Sequence, residues 1–529
     1  MNRNRPVRPG SWFPALSDLA IGLTLSTLCY MRVVRWVIFA TPGDLFFCKI
    51  RPGHAEILIA LAVVGALAAI LTPVVRLARR GGRPAADVLF LLAVVAAAGS
   101  IAVLVNRWNM ETGVWLGPAK WMLLKGAVLG AILLVLLRYR RGAVAAASTG
   151  LLILSPLLAF TTFHAAQAWT AHPPAALQYR AGPHERAAMR LVWVLFDEWD
   201  YRLTYAERPA GLRLDVFDRL SRESLRARHA TSPGMRTLTS VPALLSGSRV
   251  SDLQPASETA AIARFEGERE PRDYRSAETI FDLAHARHYR SAALGWYLPY
   301  PRLFGDVVEE CYWSGAAYYL IFPSIPPAED GMPSQILARQ MQLWANTNAH
   351  SFGLAARQRR DYARELRELL DRAKRAGADP DLDLVFLHIP APHPPGICRE
   401  VLGEGCPENA YFGNLRVADW AAGELLSAIE SGPRGGETAL LLSSDHPFRR
   451  PQETDGKFDA RVPFLVRLPR QAEGADYDRP FNTVLSRDLA AAILQGRLRG
   501  AADVAEWIDR SSQVANVTRA VPARKTGAR

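Results

Sequence analysis

Four apolar runs crowd the first third of the chain, at residues 55–75, 86–105, 121–137 and 144–166, and each is long enough to cross a bilayer as a helix. A weaker run at 16–40 precedes them and carries Asp18, Arg32 and Arg35. Short polar connections separate the runs, a succession that excludes ordinary soluble core helices. Arginines mark alternate connections. Arg3, Arg5 and Arg8 precede the first run; Arg76, Arg79, Arg80 and Arg83 follow the second; Arg138, Arg140 and Arg141 follow the fourth. The intervening segments, 41–54 and 106–120, carry fewer positive charges and several aromatics. The positive-inside rule then predicts five spans with a cytoplasmic amino terminus, which puts everything after about residue 170 beyond the inner membrane, on its periplasmic face. No cleavable signal pattern is read, so the first span is expected to serve as the insertion signal. The formal net charge of +12 is assigned to this topology and to an anionic membrane face, and no nucleic-acid motif accompanies it.

The remaining chain is mixed and charged, and at 529 residues the whole predicts more than one folding unit. Residues 1–169 are read as the helical membrane domain, 170–189 as an Ala/Pro/His-rich linker, 190–510 as an exported domain and 511–529 as a basic, disordered tail. In the exported part, Leu191-Val192-Trp193-Val194-Leu195-Phe196 is a continuous apolar run, the pattern of a strand buried on both faces. Further strands are expected at 291–297, 382–389, 439–444 and 462–468. Helical patterns fall at 212–228, 351–376 and 414–430. This alternation predicts an α/β sandwich around a mostly parallel sheet, in which ligands bind beyond the carboxyl ends of the strands.

Three of those ends carry candidate groups: Asp197-Glu198, His388 through His393, and Asp445-His446. Carboxylates and imidazoles together suit a divalent cation, zinc or manganese before calcium. A hydroxyl near it would become a nucleophile without a histidine base. The stretch Arg236-Thr237-Leu238-Thr239-Ser240-Val241-Pro242 supplies one: a polar turn into a short apolar helix, with Ser240 as expected N-cap and Thr237 beside the helix start. Cys398 and Cys406, separated by seven residues in a Pro/Gly-rich loop, suit a disulfide in an oxidising compartment.

These residues resemble the alkaline phosphatase/sulfatase superfamily, and most of all its membrane-anchored branch of phosphoethanolamine transferases and lipoteichoic-acid (phosphoglycerol) synthases. Thr237-Leu238-Thr239-Ser240-Val241-Pro242 is similar to the transferases' T-x-x-S-[VL]-P, which implies Thr237 as nucleophile. Val194 through Glu198 resembles the strand ending in an acidic metal ligand, with Asp197 or Glu198 in that role. Ser444-Asp445-His446 resembles the metal-binding S-D-H-G. The spacing from His388 to His393 resembles the transferases' H-x4-H and implies substrate contact, and Cys398…Cys406 with Asn409-Ala410-Tyr411 resembles their disulfide and N-A-Y segment. Val462-Pro463-Phe464-Leu465-Val466 resembles a strand common in the superfamily.

The chain also departs from the pattern. Pro447 replaces the glycine after Asp-His, and Phe458 stands where the transferases carry another histidine. The sulfatase motif C-x-P-x-R is absent, with Thr237 at its cysteine position. Lys457 is a further candidate for the substrate anion. The resemblance implies an alkaline phosphatase-like fold and metal-dependent transfer of a phosphoryl group from a membrane lipid to an envelope glycan or lipid. Hydrolysis of phosphate or sulfate esters, and binding without catalysis, are the alternatives.

Overall fold

The computed structural model describes residues 12–47, 51–81, 83–105, 130–132, 134–136, 138–172, 175–314, 332–349, 355–471 and 473–515. The chain divides into two compact units. One comprises residues 1–41, 50–173 and 320–354, the other 42–49, 174–319 and 355–529.

The first unit is helical. Among the described residues, His54–Arg80 and Arg140–Thr170 are long and apolar enough to cross a membrane, and Phe13–Cys29 with Met31–Val37 forms a third candidate bent by 75°. These correspond to the expected runs at 55–75, 144–166 and 16–40. The run at 86–105 lies in the helix Pro84–Val105. Of it, the shorter apolar stretch Pro84–Ser100 meets the composition of a span but not the length. The run at 121–137 falls largely outside the described residues. Five spans therefore reduce, among the described residues, to two, or three with the bent pair.

Four arginines of this unit pair with two aspartates among the described residues. Asp18 lies 3.4 Å from Arg76 and also bonds Arg79, while the buried Asp87 lies 3.5 Å from both Arg140 and Arg141. Arg141 also donates to the Ala78 carbonyl. The arginines of two expected loops thus meet at one end of the bundle. The helix Pro333–Ala349, inserted far along the chain, belongs here too: Gln340 donates to the Glu56 carbonyl at 2.7 Å and Trp344 to that of Cys29 at 3.1 Å.

The second unit is the α/β sandwich. Its main sheet has eight strands: β1 (Arg190–Asp197), β2 (Leu225–Ala227), β3 (Ser291–Trp296), β4 (Glu310–Ser314), β5 (Leu384–Pro392), β6 (Thr438–Ser444), β7 (Phe464–Arg467) and β8 (Ala475–Tyr477). Their order is β8-β2-β7-β6-β1-β5-β3-β4, parallel throughout except where β7 meets β6 and β2. β1, β3, β5 and β6 are buried along their whole length, which is why each reads as an unbroken apolar run rather than an alternating one.

Two apolar layers flank the sheet. On one face Trp193, Phe386, Leu441 and Phe464 pack against the helices around Leu244 and Ile493. On the other, Val194, Phe196, Leu387 and Leu442 pack against the helices around Leu366 and Leu425.

The expected helix at 212–228 is shorter, Asp215–Glu223, because Leu225–Ala227 joins the sheet as β2 between β7 and β8. Pairing on both sides of that segment outweighs its helical periodicity. The last described helix runs to Ala515, so residues 511–515 of the expected tail are helical, and the remainder lies outside the described residues.

Candidate active site

β6, β1 and β5 are adjacent, and the parallel register aligns Phe196 with Ser444 and Leu195 with His388. Their carboxyl ends therefore open together. A register shift between Phe196 and Asp197 breaks the ladder there. Glu198 then turns with φ at +64°, a left-handed conformation uncommon outside glycine.

The turn is held from three directions. Asp445 Oδ1 accepts the Glu198 N–H at 3.2 Å, Ser444 Oγ accepts that of Trp199 at 2.9 Å, and the Tyr411 hydroxyl donates to the Glu198 carbonyl at 2.7 Å. Ser444 Oγ also lies 2.9 Å from the Phe196 carbonyl, stitching the two strand ends together.

Thr237 comes from the helix Thr237–Ser246, whose N-cap is Arg236 in an extended conformation. Ser240 was the expected cap, yet it lies inside the helix, and its buried hydroxyl has no partner. The helix starts earlier because Arg236 already accepts the N–H groups of Thr239 and Ser240 at its carbonyl. Gly247 ends it with φ +68°, where a Cβ would come within 2.9 Å of Arg487.

Thr237 is 7% exposed and sits over the strand ends. Its hydroxyl lies 2.9 Å from Asp445 Oδ2, 3.4 Å from Asp197 Oδ2 and 3.3 Å from His446 Nε2. His446 Nδ1 faces the Pro447 carbonyl at 3.1 Å, which directs Nε2 inward.

The structure separates two neighbours that the sequence left as alternatives. Successive strand residues face opposite ways, and it is Asp197 that joins the acid cluster. Glu198 turns instead to Arg449 and Arg450, at 2.7 and 2.9 Å. Burial opposes its ionisation, but opposing charges hold the carboxyl down to about 2.

His388, expected to contact substrate, is completely buried, with Nε2 3.9 Å from both Asp197 Oδ2 and Asp445 Oδ2. One ligand atom from each of Asp197, His388 and Asp445 lies within 4.8 Å of the others. This donor set fits a divalent cation. Asp197 Oδ1 and His388 Nε2 are buried and lack hydrogen-bond partners. Burial, with Asp445 and Glu198 beside it, pushes the Asp197 carboxyl well up, a tension that a cation relieves. Burial also lowers His388 to about 4, so the imidazole is neutral and able to coordinate.

Tyr300 orients that imidazole: its hydroxyl lies 2.9 Å from Nδ1. Gly295 leaves the space, since a Cβ there would come within 2.6 Å of the Tyr300 ring.

His393 stands apart from the threonine, beside Glu198 and 4.9 Å from the Trp296 ring centroid. Although only half-buried, it is pushed down to about 4 by desolvation. Asn414 braces its loop, donating to the carbonyls of Pro392, His393 and Pro395 and accepting from Ile397. Cys398 and Cys406 close the same region as a disulfide. Lys457 is exposed, and its ammonium pairs with Glu207 at 3.4 Å rather than with the threonine cluster.

No family model matches the chain, and no curated protein matches it. Among solved structures it is similar to the lipoteichoic acid synthase LtaP from Listeria monocytogenes: 12% identity, 60% of this chain and 76% of that one, TM-score 0.39. It is also similar to an alkaline phosphatase superfamily protein from Vibrio parahaemolyticus, at 14% identity over 62% and 72% of the two chains, TM-score 0.37. Phosphonate monoester hydrolase of Agrobacterium radiobacter follows at 12% identity over 58% and 77%, TM-score 0.35. These structures fall within the sulfatase-like group that the sequence motifs resemble. At such low identities and scores they carry no chemistry to this chain.

Proposed function

We propose that the chain is a metal-dependent enzyme of phosphate-ester chemistry that transfers a phosphoryl group by way of Thr237. The observation that carries this reading is the Thr237 hydroxyl, buried within 3.4 Å of Asp445, His446 and Asp197. Asp197, His388, Asp445 and His446 would hold the cation, zinc before manganese because two donors are imidazoles. When bound, it supplies positive charge that favours the threonine alkoxide and neutralises the two aspartates.

Asp445 Oδ2, the acceptor at 2.9 Å, takes the Thr237 proton. The Oγ–phosphorus bond forms as the bond from phosphorus to the leaving alkoxide breaks, and the alkoxide takes up a proton from water. An acceptor hydroxyl, releasing its proton to solvent, then bonds to phosphorus as the Oγ–phosphorus bond breaks, and Asp445 returns its proton to the Thr237 oxygen. With water as acceptor the same steps give hydrolysis.

Transfer is favoured by the helical unit, whose apolar helices would keep the enzyme at a membrane where lipid donors and envelope glycan or lipid acceptors meet. The disulfide and the gathering of loop arginines at one end of the bundle support a catalytic unit on the periplasmic side.

The test is mass spectrometry of envelope lipids and glycans from cells with the wild-type chain or Thr237→Ala, with a search for phosphothreonine on the peptide carrying residue 237. A head-group modification lost in the variant is expected. Full activity of Thr237→Ala would sink the nucleophile assignment, and free phosphate as the sole product would replace transfer by hydrolysis.

A further inference from the structure

Two arginines beside the metal ligands are absorbed neither by the cation site nor by the nucleophile. Arg449 and Arg450 follow Phe448, which is buried and stacks on Tyr411 with ring centroids 3.8 Å apart. Tyr411 in turn holds the Glu198 carbonyl. The stack therefore anchors the chain just before both arginines to the strand end that carries Asp197.

Each guanidinium takes one oxygen of Glu198, so two cations share a single carboxylate. Glu198 is buried, whereas the arginine side chains are 37% and 32% exposed. The pair thus keeps an outward positive face with donors to spare. Glu453 also lies 3.5 Å from Arg450 Nε, but it is 40% exposed and screened by water.

Burial opposes the charge of Arg449, but Glu198 and then Asp197 and Asp445 outweigh it and favour the positive form. Asp197 and Asp445 bring two negative charges to the cluster, which a divalent cation would balance. Glu198 balances only one of the two guanidinium charges beside it, so the arginine pair leaves this edge with a net positive charge.

We propose that Arg449 and Arg450 form an anion subsite that holds phosphoryl oxygens turned away from the Asp197–His388–Asp445 cluster, selecting substrates whose phosphoryl group keeps its negative charge. The inference rests on the phosphoryl-transfer reading above and adds the residues that would recognise the anion. The ligand chemistry is a phosphate oxyanion, in a soluble ester or in a lipid head group.

The test is calorimetric titration of inorganic phosphate into the full-length, zinc-loaded protein in detergent. Arg449→Gln with Arg450→Gln is expected to weaken phosphate binding by at least about tenfold at matched zinc occupancy. Lysine at both positions, which keeps the charge, restores binding to within severalfold. A parallel titration with mixed micelles of phosphatidylglycerol or phosphatidylcholine separates the sources. An arginine-dependent preference for phosphatidylglycerol assigns the lipid head group, and arginine dependence with inorganic phosphate alone assigns a soluble ester. Phosphate affinity in the glutamine variant within twofold of wild type overturns the subsite, as does a lysine pair no better than the glutamine pair. Failure of the transfer reading looks different: arginine-dependent phosphate binding would persist while no phosphothreonine forms at residue 237.

Discussion

The Tyr411 hydroxyl is a single group on which the geometry of the β1 strand end depends, and Tyr411→Phe tests that dependence. The ring stays, so its stack with Phe448 and the packing of the surrounding helix are preserved. What disappears is one buried oxygen that donates to the Glu198 carbonyl at 2.7 Å and accepts the Asp200 N–H at 3.2 Å. Both backbone groups are buried, and each loses this partner. An unsatisfied buried backbone group costs about 1–3 kcal/mol. The variant should therefore lose about 2–6 kcal/mol, toward the lower end if a water enters the vacated volume. The lost bonds lie at and just after Glu198, held at φ +64°, so the strain of that turn is released toward the neighbouring Asp197. Zinc affinity should fall along with stability, unlike the outcome for a tyrosine that merely fills space. The assay is thermal unfolding of the full-length protein in detergent, with and without zinc, alongside zinc titration against a competing chelator. A loss below about 0.5 kcal/mol with unaltered zinc affinity would refute the claim that this hydroxyl pins the strand end.

Tyr300→Phe removes the partner of His388 Nδ1 while leaving the ring in place, and zinc affinity should drop by about 10–100-fold with little change in the apo protein's melting temperature. Unchanged affinity in chelator competition would show that Tyr300 does not orient the imidazole. Cys398→Ser opens a short loop, and by loop entropy alone costs about 2.5 kcal/mol, read as a lower unfolding midpoint that reductant reproduces in the wild type. Asp419 offers a pH test. Burial raises its carboxyl from the usual 3.8 to about 6, against the N–H groups of Phe217 and Val216 that it accepts. The folded chain then holds a proton between these values that the unfolded chain has released, so stability falls as pH rises from about 4 to about 6, by up to about 3 kcal/mol. Asp419→Asn removes that dependence, so its melting temperature relative to wild type should be higher at pH 7.5 than at pH 4.5. An equal difference at both would contradict the assignment.

What the sequence made legible follows from which forces act locally. The strands β1, β3, β5 and β6 could be read because burial on both faces leaves an apolar run, and their helices because one apolar face repeats at helical spacing. β2, β4 and β8 could not, since Leu225–Ala227 and Ala475–Tyr477 are three residues each and Glu310–Ser314 is mostly half-buried; their strand character comes from the neighbours they pair with. The same division runs through the site. Thr237, Asp445 and His446 stand in short motifs with their own spacing, so they could be singled out one at a time. Tyr300, Asn414, Arg449 and Arg450 carry no spacing signal, because each acts on a residue from another strand or loop: His388, the His393 loop and Glu198.

Asp197 and Glu198 show most directly why a linear reading stops where it does. Adjacent carboxylates after an apolar run are equivalent in sequence, and strand alternation says only that they part company, not which goes where. The choice is made by what comes from elsewhere. Ser444 and Asp445 hold the β1–β6 side of the turn, and Arg449 and Arg450 offer Glu198 two fixed cations that the Asp197 side lacks. Moving Glu198 toward the cluster would leave both guanidinium groups without their shared carboxylate and add a third acid beside Asp197 and Asp445. The arginines therefore sort the two acids, one to the buried cluster and one to the guanidinium pair, and Asp197→Asn should abolish zinc binding while Glu198→Gln spares it.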